Sequence, residues 1–350
     1  MMKETKSIPL PSGARLPYVA RNVHAQTWLG LLANLGRAER TIDAYGRGLN
    51  EFLGFCCSRD IIAEDANLDD ISLFVRFQRG DTEGGQGARK TVSISTLLQR
   101  LTAIRLWYDH LLYQSVVSKN PVPRGGQFKA GKNSSQKIGF NGCLVRKIEQ
   151  LPRIPTDDIW KQIIYAAISE SLRNRVMFAL AYFGALRREE LVNLSVTDID
   201  YARRLITVRA NTTKTGYGRV VTYPVRAGAN LAAYMRERHT LDHRPGPLFL
   251  SVSNRNYGKK LSKWQWSKAV RNLAVRADQS DFSTHTFRHL RLTHLARAGW
   301  RLHEIAIYAG HRNLQSTMAY IHLSGTELAS KIARSIEARD EVTDAALFDF

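Results

Sequence analysis

A basic segment without a single acidic residue divides this sequence into two parts. Residues 119–147 hold seven lysines and arginines, no Asp or Glu, and frequent glycine, serine and proline. Such a composition is typical of a linker between domains. A chain of 350 residues is also long enough for about two domains. The sequence therefore predicts two folded domains that are joined by a basic linker.

Both parts of the chain are dominated by helical periodicity. Ahead of the linker, apolar residues recur at helical spacing in one stretch that Thr41 can cap and in another that Ser95 can cap. Beyond the linker, residues 173–194 predict one long helix, and two short strands at 204–210 and 220–225 flank a Thr/Lys/Gly loop. We therefore predict a mainly α protein with a small antiparallel β-sheet.

The positive charge of the chain indicates a polyanionic partner. Lysine and arginine number 51 and acidic residues 31, which gives a formal net charge of +20. Nucleic acid is the first candidate for such a chain. A membrane surface is disfavoured because no basic amphipathic anchor and no run of about 18 apolar residues is present. A basic protein that its charge merely keeps soluble is the remaining alternative.

Motifs of several other protein classes are missing from the sequence. There is no GxxxxGK[ST] phosphate loop and no GxGxxG after a strand. His239 and His243 have the spacing of metal ligands, but no HExxH glutamate or obvious third ligand accompanies them. Three cysteines without a CxxC pair, and no apolar secretory signal, indicate a cytoplasmic protein with reduced thiols. The sequence thus predicts no metal and no cofactor.

Five short motifs follow one another in the second part of the chain. In order they are Gly184-Ala-Leu-Arg187-Arg-Glu-Glu190-Leu, the loop residue Lys214, His285-Thr-Phe-Arg288-His289, Gly310-His311 and Tyr320. Each one alone has an ordinary explanation, such as a surface arginine, a loop lysine or a buried tyrosine. Their order and their intervals, with His311 nine residues before Tyr320, form a specific pattern.

This pattern resembles that of the tyrosine recombinases of the phage integrase family. The resemblance covers residues 154–335, and residues 95–108 with Asn120-Pro121 are similar to the end of the family's core-binding domain. Departures at Arg188, Phe287 and Ala309 change packing and remove no reactive group. The resemblance implies an arm, a helical, SAM-like core-binding domain, the basic linker, an α+β catalytic domain and a tail, at 1–20, 21–118, 119–153, 154–338 and 339–350.

The resemblance implies that Tyr320 is the nucleophile that attacks a DNA phosphate. Arg187 and Arg288 would hold the phosphate oxygens, since guanidinium makes bidentate hydrogen bonds and stays charged. The products would be a 3′-phosphotyrosyl bond and a free 5′-hydroxyl. Because one ester replaces another, the reaction needs neither a metal ion nor ATP.

The resemblance also implies roles for four supporting residues. His285 would help to take the phenolic proton, and His311 would hydrogen-bond a phosphate oxygen. Lys214 would protonate the departing 5′-oxygen, because neighbouring arginines lower the pKa of an amine and suit it to proton donation near neutrality. Glu190 would orient the neighbouring cations.

The expected partner is double-stranded DNA, bound in the cytoplasm at the nucleoid. Family members act as tetramers on paired sites, which implies a homotetramer and allows for an accessory DNA-bending protein. Residues 325–338 would dock on a neighbouring protomer or fold back on their own domain. The basic linker residues either contact DNA or form a solvated tether, and the candidate contacts are Lys129, Lys132, Lys137, Arg146 and Lys147.

Two other functions remain open beside a site-specific recombinase of the integrase or transposase type. One is a type IB topoisomerase-like enzyme that only relaxes supercoils, which the compact motif spacing disfavours. The other is a non-catalytic DNA-binding regulator on the same fold. In such a regulator, some of the reactive motif residues would be replaced. The sequence shows no such replacement.

Overall fold

The structure is a computed structural model that describes residues 15–80, 91–123, 145, 152–213 and 216–320, and the backbone alone at 321–323. The chain forms two compact units, Met1–Glu149 and Gln150–Phe350. The described residues form twelve α-helices and one three-stranded antiparallel sheet. The predicted fold class, mainly helical with a small antiparallel sheet, is confirmed.

The first unit is a helical domain. Its described helices are α1 (Val23–Asn34), α2 (Glu39–Cys57), α3 (Leu68–Gln78) and α4 (Ile94–Tyr113). Helices α2 and α4 pack so closely that a Cβ on Gly48 of α2 would lie only 3.2 Å from the Arg100 backbone of α4. Phe52 and Trp107 are fully buried between the helices.

The ends of the predicted arm and linker contribute to the core of the first unit. Leu16 and Val19 are buried in it, and so are Val122 and Val145. Residues 1–14 of the predicted arm, and residues 124–144 and 146–151 of the predicted linker, lie outside the described residues. The predicted domain boundaries therefore stay predictions.

Both predicted helix caps in the first unit are wrong by a few residues. Helix α2 begins before Thr41, after Ala38, whose side chain makes no capping hydrogen bond. Helix α4 is capped by Ser93, whose hydroxyl accepts a hydrogen bond from the Thr96 amide at 3.2 Å. Several residues near each start can begin a helix, so apolar spacing locates the helix better than its first residue.

The second unit contains eight described helices and the sheet. The helices are α5 (Asp157–Ile168), α6 (Leu172–Phe183), α7 (Arg188–Val192), α8 (Val225–Leu241), α9 (Lys263–Arg276), α10 (Thr284–Arg297), α11 (Leu302–Ala309) and α12 (Gln315–Leu323). The strands are β1 (Ile199–Asp200), β2 (Leu205–Val208) and β3 (Arg219–Thr222). Strands β2 and β3 lie where the sequence predicts two strands, whereas β1 is too short to show periodicity.

The sheet turns one face toward the core of the second unit. Strand β2 pairs with β3 so that Ile206 lies opposite Val221 and Val208 opposite Arg219. Ile206, Val208 and Val221 are buried. Since side chains alternate along a strand, Arg219 points to the same buried face as Val221. A charged side chain on this face requires a buried partner.

Phe287 anchors α10 in the core of the second unit. It is 1% exposed, and its ring stacks on that of Phe178 at a centroid distance of 5.7 Å. Its neighbour Arg288 therefore projects toward a different side of the helix. The departure from the family pattern at Phe287 thus enlarges the core and leaves the polar residues of α10 in place.

The predicted long helix over 173–194 is interrupted. Helix α6 ends at Phe183, and α7 begins at Arg188. The Ala185 and Leu186 amides donate to the Tyr182 and Ala181 carbonyls, as in a Schellman motif. Ala185 occupies the left-handed position with φ of 46°. This turn, which helical periodicity did not predict, determines where Arg187 lies.

Candidate active site

The candidate site lies where the ends of several helices of the second unit meet. Arg187 directly precedes α7, Arg288 lies on α10, His311 follows α11, and Tyr320 lies on α12. These residues come together although they are spread over more than a hundred positions of the chain. Lys214 and the five linker residues Lys129, Lys132, Lys137, Arg146 and Lys147 lie outside the described residues.

Two helix ends of the same kind supply backbone carbonyls to the site. Helix α11 ends as α6 does, since the Gly310 and His311 amides donate to the Ile307 and Ala306 carbonyls. Gly310 takes the left-handed position with φ of 65°, and a Cβ there would lie 3.2 Å from the Arg219 side chain. Glycine is required at this position by both its φ angle and the available space.

Arg288 is almost completely buried, and backbone carbonyls hold its guanidinium. Its Nη1 donates to the Ala185 carbonyl at 2.7 Å, and its Nη2 donates to the Ala309 carbonyl at 2.6 Å. Burial and the nearby Arg187 and Arg219 lower the pKa of Arg288 to about 9. The group is therefore still charged at neutral pH, and its orientation is set before any ligand binds.

Arg187 lies beside Arg288. Its Nη1 donates to Glu190 Oε1 at 2.7 Å, and its Nη2 donates to the Gly310 carbonyl at 3.2 Å. Because Ala309 and Gly310 are consecutive, their carbonyls bring the two guanidiniums close together. The Arg187 side chain is 21% exposed. It can therefore contact a ligand at the surface while its other side is held.

Glu190 is buried between two arginines. It is 1% exposed, and Arg219 Nη1 and Nη2 donate to its two carboxylate oxygens at 3.1 and 2.7 Å. Arg219 Nε also donates to the Tyr308 carbonyl at 2.8 Å. Burial alone would raise the pKa of Glu190, but hydrogen bonds and charge from Arg219 and Arg187 lower it to about 2. The carboxylate stays ionised and joins α7, β3 and the end of α11.

His311 is neutral and its tautomer follows from its partners. Its Nε2 lies 2.9 Å from Arg288 Nη2, which can only donate, and its Nδ1 lies 2.7 Å from Thr317 Oγ1. The imidazole proton is therefore on Nδ1 and bonds to Thr317. Burial and the charges of Arg288, Arg187 and Arg219 lower the pKa of His311 to about 3. In this arrangement Nε2 accepts from Arg288, so donation from Nε2 to a phosphate requires that contact to open and a proton to reach Nε2.

Tyr320 is 4% exposed and packs in a small apolar cluster. Its ring lies parallel to that of His311, with centroids 6.3 Å apart. Its hydroxyl lies 2.7 Å from His289 Nδ1. Burial raises the pKa of Tyr320, and the charges of Arg288 and Arg187 oppose that rise. The phenol is therefore protonated at neutral pH, with positive charge close to it.

His285 lies one turn before His289 on α10, and its ring centroid is 6.2 Å from that of His289. The side chain is exposed. Its pKa is lowered by partial desolvation and by the charges of Arg288, Arg188 and Arg187. The structure therefore places His285 at the edge of the arginine cluster.

Sequence reasoning missed three residues of the site. They are Arg219, His289 and Thr317, which contact Glu190, Tyr320 and His311 respectively. A signal for two of them was present. Arg219 shares a strand face with apolar Val221, and His289 directly follows Arg288. Thr317 carried no signal, because its role depends on how α12 packs.

Neither a metal-binding cluster nor a membrane-spanning helix is found in the described ranges. No group of three or more His, Cys, Asp or Glu side chains there could hold a metal ion. No helix among the described residues combines the length and the apolar character needed to cross a bilayer.

Comparison with known proteins identifies the family. The model of the phage integrase family matches residues 154–327. The chain is 26% identical to tyrosine recombinase XerC of Herpetosiphon aurantiacus, over 91% of this chain and 96% of that protein. It is 22% identical to transposase A from transposon Tn554 of Staphylococcus aureus, over 88% and 90%. The chain belongs to the phage integrase family of tyrosine recombinases. Enzymes of this class cleave and rejoin DNA strands in site-specific recombination, and this chain is one of them.

Solved structures share the fold of this recombinase. A XerH site-specific recombinase bound to a palindromic difH substrate has a TM-score of 0.66 at 15% identity, over 91% of this chain and 86% of that one. A Tn1549 transposon integrase in complex with a circular intermediate DNA has a TM-score of 0.62 at 15% identity, over 84% and 93%. At these identities the likeness shows the fold alone.

Replacement of Arg219 should destabilise the second unit of the recombinase. Arg219→Leu leaves the buried Glu190 carboxylate without its bidentate partner, and breaking a buried pair in this way costs about 3–5 kcal/mol. We expect urea unfolding, followed by tryptophan fluorescence, to show a loss of about 3 kcal/mol. The control Lys161→Ala removes an exposed ion pair with Asp158 and should cost less than about 0.5 kcal/mol. Equal stability of the two variants would contradict the role of Arg219.

The stability of the recombinase should fall below pH 6.5 partly because of His311. Unfolded His311 binds a proton near its usual pKa of 6.5, whereas the folded residue, with a pKa of about 3, does not. The stabilisation from neutral His311 is therefore complete above pH 6.5 and is lost as the pH falls toward 3. Between pH 7 and 5, His311→Gln should lose about 1 kcal/mol less stability in urea unfolding than the unaltered protein, allowing for solvent screening of the ring. The same loss in both proteins would refute this assignment.

Proposed function

We propose that Tyr320 Oη attacks a backbone phosphate of double-stranded DNA, forming a 3′-phosphotyrosyl bond and releasing a 5′-hydroxyl. One observation carries the proposal. Arg288 Nη2 and Arg187 Nη2 donate to the carbonyls of the consecutive residues Ala309 and Gly310, so that two guanidiniums lie side by side close to a buried tyrosine. Such a pair of cations suits a phosphate that gains negative charge during attack.

The surroundings of the two arginines support their role as a phosphate clamp. Each guanidinium is already oriented by a carbonyl, and Glu190 balances part of the charge from below. Little reorganisation is therefore needed when a phosphodiester binds. Donors that are oriented in advance in this way contribute about 3–4 kcal/mol each to transition states of comparable reactions.

The proposed acid is Lys214, which would protonate the departing 5′-oxygen. The described end of its loop supports this assignment, because the Arg312 guanidinium lies 5.4 Å from the centre of the Tyr217 ring. Tyr217 is three positions from Lys214, a separation that spans at most about 11 Å of extended chain. Arg312 directly follows His311, so the described residue Tyr217 lies near the end of α11 that carries His311.

The proposal extends to strand exchange between two DNA sites. The phosphotyrosyl ester retains the energy of the broken bond, so that the 5′-hydroxyl of a partner strand can reseal it without ATP. Exchange between two duplexes needs several active sites, which favours the homotetramer over a single protomer. The basic linker residues would contact phosphates, and an accessory DNA-bending protein and a location at the nucleoid remain part of the proposal.

Tyr320→Phe should bind DNA like the unaltered protein and form no covalent adduct, because it removes only the nucleophilic oxygen. A nicked suicide substrate, which traps the adduct by loss of a short strand, makes the measurement on a denaturing gel. Tyr182→Phe is the matched control, since Tyr182 Oη also bonds to a histidine of α10, His294, at 2.6 Å. The control should retain the adduct, whereas an adduct in Tyr320→Phe would defeat the proposal.

The same preparation tests strand exchange by the proposed chemistry. We expect exchange between two copies of one DNA site, whereas relaxation of supercoils without exchange would contradict the proposed strand exchange.

Lys214→Ala should slow cleavage by about 10²–10⁴-fold, the range for loss of a general acid. A substrate with a 5′-bridging phosphorothiolate should restore part of the rate, because sulfur leaves without protonation. Lys161→Ala, at an exposed site on α5, is the control and should cleave both substrates normally. A slow Lys214→Ala variant without sulfur rescue would move the acid role to His285.

A further inference from the structure

A second histidine of α10 contacts the proposed nucleophile. His289 Nδ1 lies 2.7 Å from Tyr320 Oη, and the ring centroids are 5.8 Å apart. His285, to which the family resemblance assigns proton transfer, lies one turn earlier and is exposed. Within the described part of the chain, the hydroxyl of Tyr320 is therefore bonded to His289 rather than to His285.

The direction of this hydrogen bond follows from the chemistry of the two groups. Burial, together with the nearby His285 and Arg288, lowers the pKa of His289 to about 4. The imidazole is therefore neutral at neutral pH. A phenol is the better donor and an imidazole nitrogen the better acceptor, so Tyr320 Oη donates to Nδ1 and the imidazole proton is on Nε2. Nδ1 of His289 is therefore the unprotonated nitrogen and faces the phenolic proton, as a proton acceptor requires.

The position of Tyr320 limits the other acceptors for its proton. The side chain is 4% exposed and packs against Leu292, Leu295 and Ile305. Bulk water therefore has little access to the hydroxyl. His311 faces the flat side of the Tyr320 ring, and its Nε2 is bonded to Arg288. Among the described residues, His289 is thus the nitrogen base that is both close to the oxygen and correctly oriented.

We propose that His289 Nδ1 accepts the phenolic proton as Tyr320 Oη attacks the phosphorus, an inference that rests on the function proposed above. During cleavage the O–H bond breaks and an N–H bond forms at His289, while the Oη–P bond forms and the P–O5′ bond breaks. The departing 5′-oxygen takes its proton from Lys214. During rejoining the imidazolium of His289 returns its proton to Tyr320 as the phenolic oxygen leaves.

Proton transfer accompanies the attack and does not precede it. Burial raises the pKa of Tyr320 and, with His285 and Arg288, lowers that of His289 to about 4, so proton transfer in the empty site is strongly unfavourable. As the Oη–P bond forms, the oxygen loses electron density and its proton becomes strongly acidic. The negative charge of the bound phosphate also opposes that of the arginines and raises the pKa of His289.

Two substitutions separate proton transfer from positioning. In His289→Asn the amide oxygen can accept the hydrogen bond from Tyr320 but cannot take its proton, and in His289→Ala the bond is lost. Both variants, bound to a nicked suicide substrate at saturating protein, should form the adduct about 10²–10⁴-fold more slowly than the unaltered protein. Added imidazole should restore part of the rate in His289→Ala, since it supplies the missing base.

The matched control is His294→Asn. His294 lies on the same helix, and its Nδ1 bonds to Tyr182 Oη at 2.6 Å, so the control alters an equivalent tyrosine–histidine pair away from the site. Its rate of adduct formation should stay within about 3-fold of the unaltered protein, in keeping with a loss of less than 1 kcal/mol. Thermal unfolding of all variants checks the fold, and His289→Asn decides the question if His289→Ala does not fold.

Three results would overturn the inference. Near-normal cleavage by His289→Asn would mean that His289 only positions the tyrosine. Faster cleavage by His289→Ala would mean that it holds the tyrosine back. A slow His289→Ala variant that imidazole does not rescue would mean that no proton passes through it. In each case an adduct on Tyr320 in the unaltered protein leaves the proposed function intact, whereas its absence there defeats the proposed function itself.

Discussion

The carboxylate of Glu190 lies between the guanidiniums of Arg187 and Arg219, and the arrangement of the site depends on this contact. Arg187, Arg219 and Arg288 would otherwise repel each other in a poorly solvated region. Glu190 is 1% exposed and ionised, so it offsets this repulsion from the protein side. The side of Arg187 and Arg288 that faces away from Glu190 keeps its positive charge and can attract an anionic ligand. One buried negative charge thus permits three guanidiniums to lie close together.

Backbone carbonyls, together with the Glu190 carboxylate, hold the guanidiniums of Arg187 and Arg288 in place. Those of Ala185, Ala309 and Gly310 accept hydrogen bonds from Arg288 and Arg187. These carbonyls can accept from side chains because α6 and α11 end there in left-handed turns. The carbonyls at such a helix end receive no hydrogen bond from their own helix. The positive φ of Ala185 is a strained conformation for a residue with a Cβ. The surrounding hydrogen bonds and the complete burial of Ala185 stabilise the turn.

Burial and the same cluster of positive charge keep the neighbouring histidines neutral. The pKa values of His289 and His311 fall to about 4 and 3 because burial and Arg288 disfavour a further positive charge. Neutral imidazoles can accept hydrogen bonds, and His289 accepts one from Tyr320 while His311 accepts one from Arg288. Burial and the arginines proposed to hold a phosphate therefore together set the protonation state of the histidines around Tyr320.

The sequence by itself determined the fold class, the family and most of the residues that meet in the site. Periodicity and motif spacing are local properties of the chain, and the interval between His311 and Tyr320 can be read directly. Only the tertiary structure decided that α6 breaks before Arg187, that Arg219 is the second partner of Glu190, and that His289 contacts Tyr320. These features arise where distant segments pack together. The burial that selects one hydrogen-bond partner over another exists only after the helices have assembled.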